Sequence, residues 1–179
     1  MTQLALKGVH HTAFRCRDAE ETRAFYEDIL GLPLKACVTG EQEPGSGRPA
    51  PFLHLFFELG EGNFVAFFDE PGRASEDKFK LKHGFDLHLA METETLEELL
   101  AWQAKLNAAG VPAFGPIDHH FCHSVYFSDP NGLALEITTR DAKHDAIMAE
   151  EAANAREMIA GWSARKARER AESAQLATS

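Results

Sequence analysis

The stretch HSVYFSDPNGLALEI, residues 123–137, predicts a β-hairpin in which two runs rich in aromatic and aliphatic residues flank a D-P-N-G turn. The arms also carry a tyrosine and a glutamate, whereas a hairpin that only fills a core would use valine and leucine. Because side chains alternate between the two faces of a strand, Tyr126 and Glu136 would face the same space if the arms pair in register. The hairpin therefore indicates a polar site on one face of a sheet.

The first half of the chain contains a second copy of this hairpin. FLHLFFEL and NFVAFF, residues 52–59 and 63–68, predict two strands joined by a short turn, and they align with the later hairpin without a gap. The alignment pairs Gly62 with Gly132, Phe56 with Tyr126 and Ala66 with Glu136. The strands that lead each half also match, as HTAF beginning at His11 and HLAM beginning at His88. This self-similarity predicts a pseudo-twofold fold made from one repeated unit.

Each copy is predicted to run as strand, helix and then three strands. The predicted leading strands are Val9 to Cys16 and Phe85 to Met91. The strand that follows the helix of each module is predicted at Leu32 to Thr39 and at Val111 to Phe114. The helices ETRAFYEDIL and LEELLAWQAKLNAAG follow possible capping boxes, Asp18 with Glu21 and Thr95 with Glu98, and they end at Gly31 and Gly110. The fold class is therefore predicted as α+β, with two βαβββ modules at about 8–70 and 84–139 that form a pseudo-twofold metal-binding cavity.

Two further segments have their own composition. Gly40 to Pro51 is rich in glycine and proline, which predicts an irregular loop that serves either as a connector or as a lid. Residues 1–139 hold the paired modules, and residues 140–179 are alanine-rich and charged, which predicts a long C-terminal helix. This helix carries a narrow apolar stripe, made of Met148, Ala152, Ala155, Ile159 and Trp162. The stripe suits packing either on the chain's own domain or on a partner subunit, and we expect a homodimer or another homo-oligomer.

Composition limits the classes of partner. The formal net charge of −10 argues against nucleic acid and anionic membrane as main partners, because both would repel the chain. No apolar stretch is long enough to span a bilayer, and the first residues do not resemble a secretion signal. The three cysteines, Cys16, Cys37 and Cys122, have neither zinc-ribbon nor disulfide spacing. A cytoplasmic location is the expectation.

Two histidines and one glutamate form the candidate metal site. His11 and His88 occupy matching positions in the two leading strands, and in a pseudo-twofold arrangement they could converge with Glu136 on one cavity. Two imidazoles and one carboxylate leave coordination positions open for substrate and O2, which suits non-haem Fe(II). The same ligands could hold Zn²⁺, so the ligand types alone leave the metal open.

Three motifs together resemble the vicinal oxygen chelate superfamily. They are HHTAFRCRDAEETRAFYEDILGL, HLAMETETLEELLAWQAKLNAAGV and SVYFSDPNGLALEI, and the resemblance covers residues 8 to about 139. This superfamily includes glyoxalase I, methylmalonyl-CoA epimerase, fosfomycin- and bleomycin-resistance proteins and type I extradiol ring-cleavage dioxygenases. The resemblance implies metal ligands at His11, His88 and Glu136.

The resemblance also bears on the activity. Glyoxalase I and the epimerase take a fourth ligand, Glu or Gln, from the first-half strand that reads NFVAFF here, where neither Ala66 nor Phe67 can coordinate a metal. This departure favours the dioxygenases, which would imply Fe(II), O2 and a catecholic or related aromatic diol as substrate. The alternatives are a Mn²⁺ or Zn²⁺ enzyme, such as a glyoxalase-like lyase or isomerase or a thiol transferase, and a small-molecule binding or resistance protein.

The dioxygenase resemblance implies roles for further residues. His119, in I-D-H-H-F, fits the loop histidine that acts as an acid–base catalyst, and Tyr126 fits the tyrosine that donates a hydrogen bond to a substrate oxygen. Four other residues are candidates for the wall of the substrate pocket, namely His54, Asn63, Phe67 and His123.

Overall fold

The computed structural model describes residues 6–43, 45–60, 62–73 and 75–177. In the described part of the chain, eight strands form two four-stranded sheets and three longer helices accompany them. The first half contains β1 (His11–Cys16), α1 (Ala19–Arg23, continued by a π-helical segment, Ala24–Ile29), β2 (Leu34–Gln42), β3 (Pro49–Glu58) and β4 (Phe64–Asp69). The second half contains β5 (His88–Glu92), α2 (Leu96–Ala108), β6 (Phe114–Asp118), β7 (Cys122–Ser128) and β8 (Ala134–Arg140), followed by α3 (His144–Ala177).

The two sheets confirm the predicted repeat. Their strand orders are β1-β4-β3-β2 and β5-β8-β7-β6, and in both sheets the leading strand runs parallel to the last strand of its module. The registers are also equivalent. Ala66 pairs with Ala13 on one side and Phe56 on the other, as Glu136 pairs with Ala90 and Tyr126. The α+β class with two βαβββ modules and a long C-terminal helix is therefore confirmed.

The helix signals in the sequence act as predicted. The Asp18 carboxylate accepts a hydrogen bond from the Glu21 amide at 2.8 Å, and the Thr95 hydroxyl accepts one from the Glu98 amide at 3.1 Å. Each cap satisfies an amide that has no partner within the first turn of its helix. Gly110 ends the second helix with φ +78°, a left-handed conformation that glycine adopts without strain.

Several predicted boundaries are wrong. Half of the predicted irregular loop at 40–51 is strand, because β2 continues to Gln42 and β3 already begins at Pro49. Strand β5 begins at His88 rather than Phe85, since its pairing with β8 starts only where His88 meets Ala134. Strand β6 begins at Phe114, because residues 111–113 belong to the turn that closes α2, in which the Val111 amide donates to the Leu106 carbonyl.

A buried polar network joins the two modules. The Tyr26 hydroxyl donates a hydrogen bond to Asp129 at 3.1 Å, and the Asn131 side-chain amide donates to Thr22 at 3.2 Å. Asp129 also accepts hydrogen bonds from the backbone amides of Asn131 and Leu133 at 2.9 and 2.8 Å. Burial raises the pKa of Asp129, and these hydrogen bonds oppose the rise. The D-P-N-G turn of the second module thereby fixes the first helix of the other module.

Replacing Tyr26 with phenylalanine is expected to destabilise the fold by about 2 kcal/mol, because a buried carboxyl group loses a hydrogen-bond donor. The ring still fills its place between Phe57 and Phe67, so the loss reports mainly the hydroxyl. Urea unfolding measures the change in free energy. Tyr126→Phe is the matched control, since its hydroxyl is partly exposed and its removal should cost less than half as much. Equal losses in the two variants would contradict a role for the network.

Helix α3 has no buried surface along most of its length. Every residue from Met148 to Ser173 is exposed, and Met148, Ile159 and Trp162 of the apolar stripe are 45, 68 and 56 % exposed. Packing of the stripe on the chain's own domain is therefore wrong, and packing on a partner subunit stays a prediction. Within the described residues, no helix is both long enough and apolar enough to cross a membrane.

Candidate metal and catalytic site

One face of the second sheet brings together two of the predicted metal ligands. The His88 Nε2 atom lies 3.3 Å from the Glu136 carboxylate. The Glu136 side chain is 8 % exposed and that of His88 is 43 % exposed, so the pair lies at the boundary between the buried part of the sheet and its solvent-exposed face. Strands β5 and β8 hold the two residues on the same face, because Glu136 is two positions beyond Ala134, the register partner of His88.

The backbone orients the His88 imidazole. Its Nδ1 atom lies 2.6 Å from the Gly84 carbonyl oxygen, and since a carbonyl only accepts hydrogen bonds, Nδ1 is the donor. The Nε2 atom is then the ring nitrogen that faces Glu136. A hydrogen bond of this kind is typical of metal-ligating histidines, whose second nitrogen donates to a carbonyl or carboxylate group.

The predicted catalytic pair lies on the same face. The His119 Nε2 atom is 2.8 Å from the Tyr126 hydroxyl, and Tyr126 stands opposite Glu136 across the β7–β8 ladder. Burial raises the pKa of Tyr126, and the negative charge of Glu136 raises it further. The phenol therefore keeps its proton at neutral pH and can donate a hydrogen bond.

His11 lies on the corresponding face of the first sheet. Its Nδ1 atom is 2.9 Å from the Nδ1 atom of His10, and its ring centroid is 6.2 Å from that of His54. The His54 ring stacks on Phe68 at a centroid distance of 3.6 Å, and its Nε2 atom is buried without a hydrogen-bond partner in the part of the chain that the structure describes. Burial lowers the pKa of His54, and the nearby His11 lowers it further. This face therefore presents the imidazoles of His11 and His54 among aromatic rings, and burial disfavours the charged form of His54.

The structure does not bring His11 to His88 and Glu136. Among the residues that the structure describes, no three His, Cys, Asp or Glu side chains stand close enough together to hold one metal ion. One chain therefore assembles two of the three predicted ligands on one face and leaves the third on the other. Two histidines and one glutamate are side chains that bind divalent cations, but the described residues of one chain do not bring all three together.

Two of the predicted pocket residues lie elsewhere. Phe67 is fully buried in the core against Tyr26, on the face of β4 opposite to that of Phe64 and Phe68. It lines a cavity of about 300 Å³ between the modules rather than the face that carries His11. His123 faces away from Tyr126 because the two residues are three positions apart on β7, and its ring nitrogens lie 4.0 Å from Asp118 and 3.7 Å from Asp141.

Asn63, a third predicted pocket residue, precedes β4, and its side-chain oxygen is buried without a hydrogen-bond partner among the described residues.

The family comparison matches most of the chain. The model of the Glyoxalase/Bleomycin resistance protein/Dioxygenase superfamily matches residues 8–137, the same part that forms the two modules. The chain belongs to this superfamily. Helix α3 lies outside the matched residues.

Within the superfamily, relatives with different activities are similarly distant. The chain is 25 % identical over 121 residues to the "Putative ring-cleaving dioxygenase MhqA" of Bacillus subtilis (strain 168), a match that covers 68 % of this chain and 36 % of that protein. It is 26 % identical over 135 residues to the "Probable lactoylglutathione lyase" of Synechocystis sp., covering 75 % of this chain and 97 % of the lyase. Sequence similarity alone therefore does not separate the two activities.

A solved structure shares the fold. The genomically encoded fosfomycin resistance protein FosX of Listeria monocytogenes, complexed with Mn(II) and sulfate, superposes with a TM-score of 0.55 at 17 % identity, covering 79 % of this chain and 99 % of FosX. This structural neighbour was solved with a bound divalent metal, and at this identity its likeness to our chain concerns the fold alone.

The register also settles which residue of the first module corresponds to Glu136. It is Ala66, which is fully buried and has a methyl side chain that cannot ligate a metal. His10 is exposed, and its Nδ1 atom lies 2.9 Å from that of His11, so it is a neighbour of the candidate site that the sequence did not single out. The adjacent histidines at positions 10 and 11 were the available signal.

Proposed function

We propose that this superfamily member is a divalent-metal-dependent dioxygenase, with Fe(II) as its metal, that cleaves the ring of a catecholic or related aromatic diol. The observation that carries the proposal is the hydrogen bond between His119 and Tyr126, on the face that also holds His88 and Glu136. An imidazole, a protonated phenol and two metal-ligating groups on one face are the groups that binding and deprotonating a diol requires.

His119 and Tyr126, both in the second module, would share the transfer of the substrate proton. A diol that binds at this face gives up a hydroxyl proton, and the His119 imidazole is the acceptor. The protonated ring then donates from Nε2 to the Tyr126 oxygen, and the Tyr126 hydroxyl donates to a substrate oxygen, so a later intermediate can recover the proton along the same pair. A bound Fe(II) ion would supply coordination positions for the substrate oxygens and O2.

The missing fourth ligand supports dioxygenase chemistry over lyase chemistry. In this chain Ala66 stands where Glu136 has its carboxylate, so even a completed site offers three protein ligands and leaves the remaining positions for substrate and O2. The relation to the Synechocystis lyase, which covers 97 % of that protein, favours a lyase or isomerase as the second candidate. Iron content and O2 uptake separate the dioxygenase from the lyase or isomerase.

Anaerobically purified protein is expected to contain near-stoichiometric iron and to consume O2 with at least one member of a catechol panel. Tyr126→Phe should lower the rate of O2 uptake by about 100-fold, because proton transfer by a positioned side chain contributes at least that factor. Its iron content should not change, since the phenol lies opposite Glu136 without being a ligand. Elemental analysis and an oxygen electrode measure both quantities.

His123→Ala is the matched control for this test, because His123 projects from the same strand but from its other face and should leave the rate unchanged. Stoichiometric Zn or Mn without O2 uptake on any catechol would contradict the dioxygenase and favour the lyase or isomerase, or addition of a thiol to a small electrophile. A protein that binds its small molecule equally well after metal removal would instead be a binding or resistance protein.

A further inference from the structure

We propose that helix α3 pairs with the α3 of a second copy of this chain, side by side and in opposite directions. The helix has 34 residues, which makes it about 51 Å long, and it lies outside the residues that the superfamily model matches. Every residue from Met148 to Ser173 is exposed in the single chain. A helix that keeps an apolar stripe in solvent over this length has a surface that another element covers.

The spacing of the stripe indicates what covers it. Its members recur at alternating steps of four and three residues. They are Met148, Ala152, Ala155, Ile159 and Trp162. A narrow stripe of this spacing is the seam of a two-helix coiled coil, whereas a helix that packs on a globular core has a wider apolar face. The covering element is therefore another helix.

The charges of α3 are divided between its two halves. Residues 144–160 hold four carboxylates and one arginine, and residues 161–177 hold four basic and two acidic side chains. Among the described residues, Glu150, Glu151 and Arg168 form no ion pair within the chain. Reversing the helix against its own copy places each acidic half beside a basic half, while pairing in the same direction brings like charges together. The charges therefore favour the antiparallel direction.

The sizes of the stripe residues favour the same direction. Alanines occupy positions 152 and 155, and the large residues Ile159 and Trp162 follow them. A twofold axis near Glu157 places Trp162 of one copy level with Ala152 of the other. The same axis places Ile159 level with Ala155. Large side chains then fill the space beside small ones, whereas a parallel pair would set tryptophan against tryptophan and leave a gap between the alanines.

The net charge of the chain adds a third reason. The six acidic and five basic side chains of α3 nearly cancel, so most of the net charge of −10 lies on residues 1–143. A parallel pair would hold two acidic domains side by side. In the antiparallel pair the two helices begin about 39 Å apart, several times the distance over which salt screens charges. A second copy supplies every complementary feature, because a twofold contact joins the same surface of both chains.

Ile159→Glu tests whether the stripe is the contact. This variant should raise the dissociation constant of the dimer by more than about 30-fold, because it places a charge at the centre of the apolar seam. Ala164→Glu is the matched control, since it adds the same charge on the side of the helix opposite the stripe and should leave the constant unchanged. Sedimentation equilibrium measures both constants, and circular dichroism verifies that both variants are folded.

Nitroxide labels on cysteine variants test the direction of pairing. A Cys37→Ser background removes the exposed thiol, and the remaining Cys16 and Cys122 are buried. Labels at Ser173→Cys should lie about 50 Å apart in the antiparallel pair, because each lies 16 residues from the axis. Labels at Ala160→Cys, close to the axis, should lie within about 25 Å of each other. Pulsed electron paramagnetic resonance measures both distances.

Three results would overturn the proposal. A wild-type chain that sediments as a monomer at high concentration has no such contact. A dimer that Ile159→Glu leaves intact is held together by another surface. Short distances from both label positions would mean that the helices run in the same direction. None of these measurements depends on a bound metal, so the proposed dioxygenase activity stands or falls separately.

Discussion

Replacing Glu136 with glutamine is expected to lower the affinity for the catalytic metal by more than about 100-fold and to abolish O2 uptake at ordinary metal concentrations. Loss of a hydrogen-bonding partner behind a metal ligand costs 10- to 100-fold, and here the ligand itself loses its charge. Glutamine keeps the shape of the side chain, which is 8 % exposed, so folding should be little affected. Titration of the apoprotein with Fe(II) under anaerobic conditions measures the affinity.

Glu92→Gln is the matched control. Glu92 lies on β5 near the same face, but its carboxylate pairs with Arg140 at 2.7 Å and is half exposed. Such a surface ion pair contributes about 0 to 1 kcal/mol, so this variant should keep both its metal and its activity. If Glu136→Gln bound Fe(II) as tightly as Glu92→Gln does, Glu136 would not be a ligand and the proposed function would lose its metal centre.

Replacing Gly132 with alanine is expected to destabilise the protein by about 3 kcal/mol, as the sum of two effects. The residue has φ +75°, a left-handed conformation that costs a non-glycine residue about 1–2 kcal/mol. A Cβ atom would also lie 2.5 Å from the carbonyl oxygens of Phe79 and Lys80, and such overpacking costs about 1–3 kcal/mol. Because those oxygens belong to the backbone, rotation of a side chain cannot relieve the contact.

The repeat supplies the control for this substitution. Gly62 is the equivalent residue of the first module, with φ +77°, and among the described residues no atom beyond its chain neighbours lies within 4 Å of the position its Cβ would take. Gly62→Ala should therefore cost only the conformational part, about 1–2 kcal/mol. Thermal and urea unfolding of both variants measure the difference. Equal destabilisation would mean that the contact with the connector before β5 relaxes at no cost.

Much of the fold could be predicted because its signals are local. The spacing shared by the two halves fixed the order of the strands, and alternation along β7 and β8 correctly placed Tyr126 opposite Glu136. Strand ends were predicted less well. Val111 is of a residue type that favours strands, but its amide donates a hydrogen bond that closes the preceding helix. The residue type does not reveal a contact of this kind between neighbouring elements.

The part of the site that lies within the second module could be predicted from the sequence, but its relation to the first module could not. The repeat and the family resemblance supplied the candidates, and the structure places His88 beside Glu136 and His119 beside Tyr126. Sequence periodicity tells which residues share a face. It does not tell what lies opposite that face, because the packing of two modules depends on the whole core rather than on any one segment. The expectation that His11 would join the other ligands within one chain rested on the repeat and on the family resemblance, and neither gives the packing of the two modules. Phe67 and His123 were misplaced for a simpler reason, since each is one residue out of phase with the site face.

The exposure of α3 has a consequence for how the chain unfolds. A helix without buried residues from Met148 to Ser173 draws its stability from its own backbone hydrogen bonds and from surface pairs such as Arg165 with Glu169 at 2.8 Å. It can therefore open turn by turn without exposing the core, and its amide protons exchange with solvent through these local openings. The strands that carry Val125 and Leu135 exchange only when the sheets themselves come apart. In an isolated chain, melting of the helix and unfolding of the domain are thus separate events.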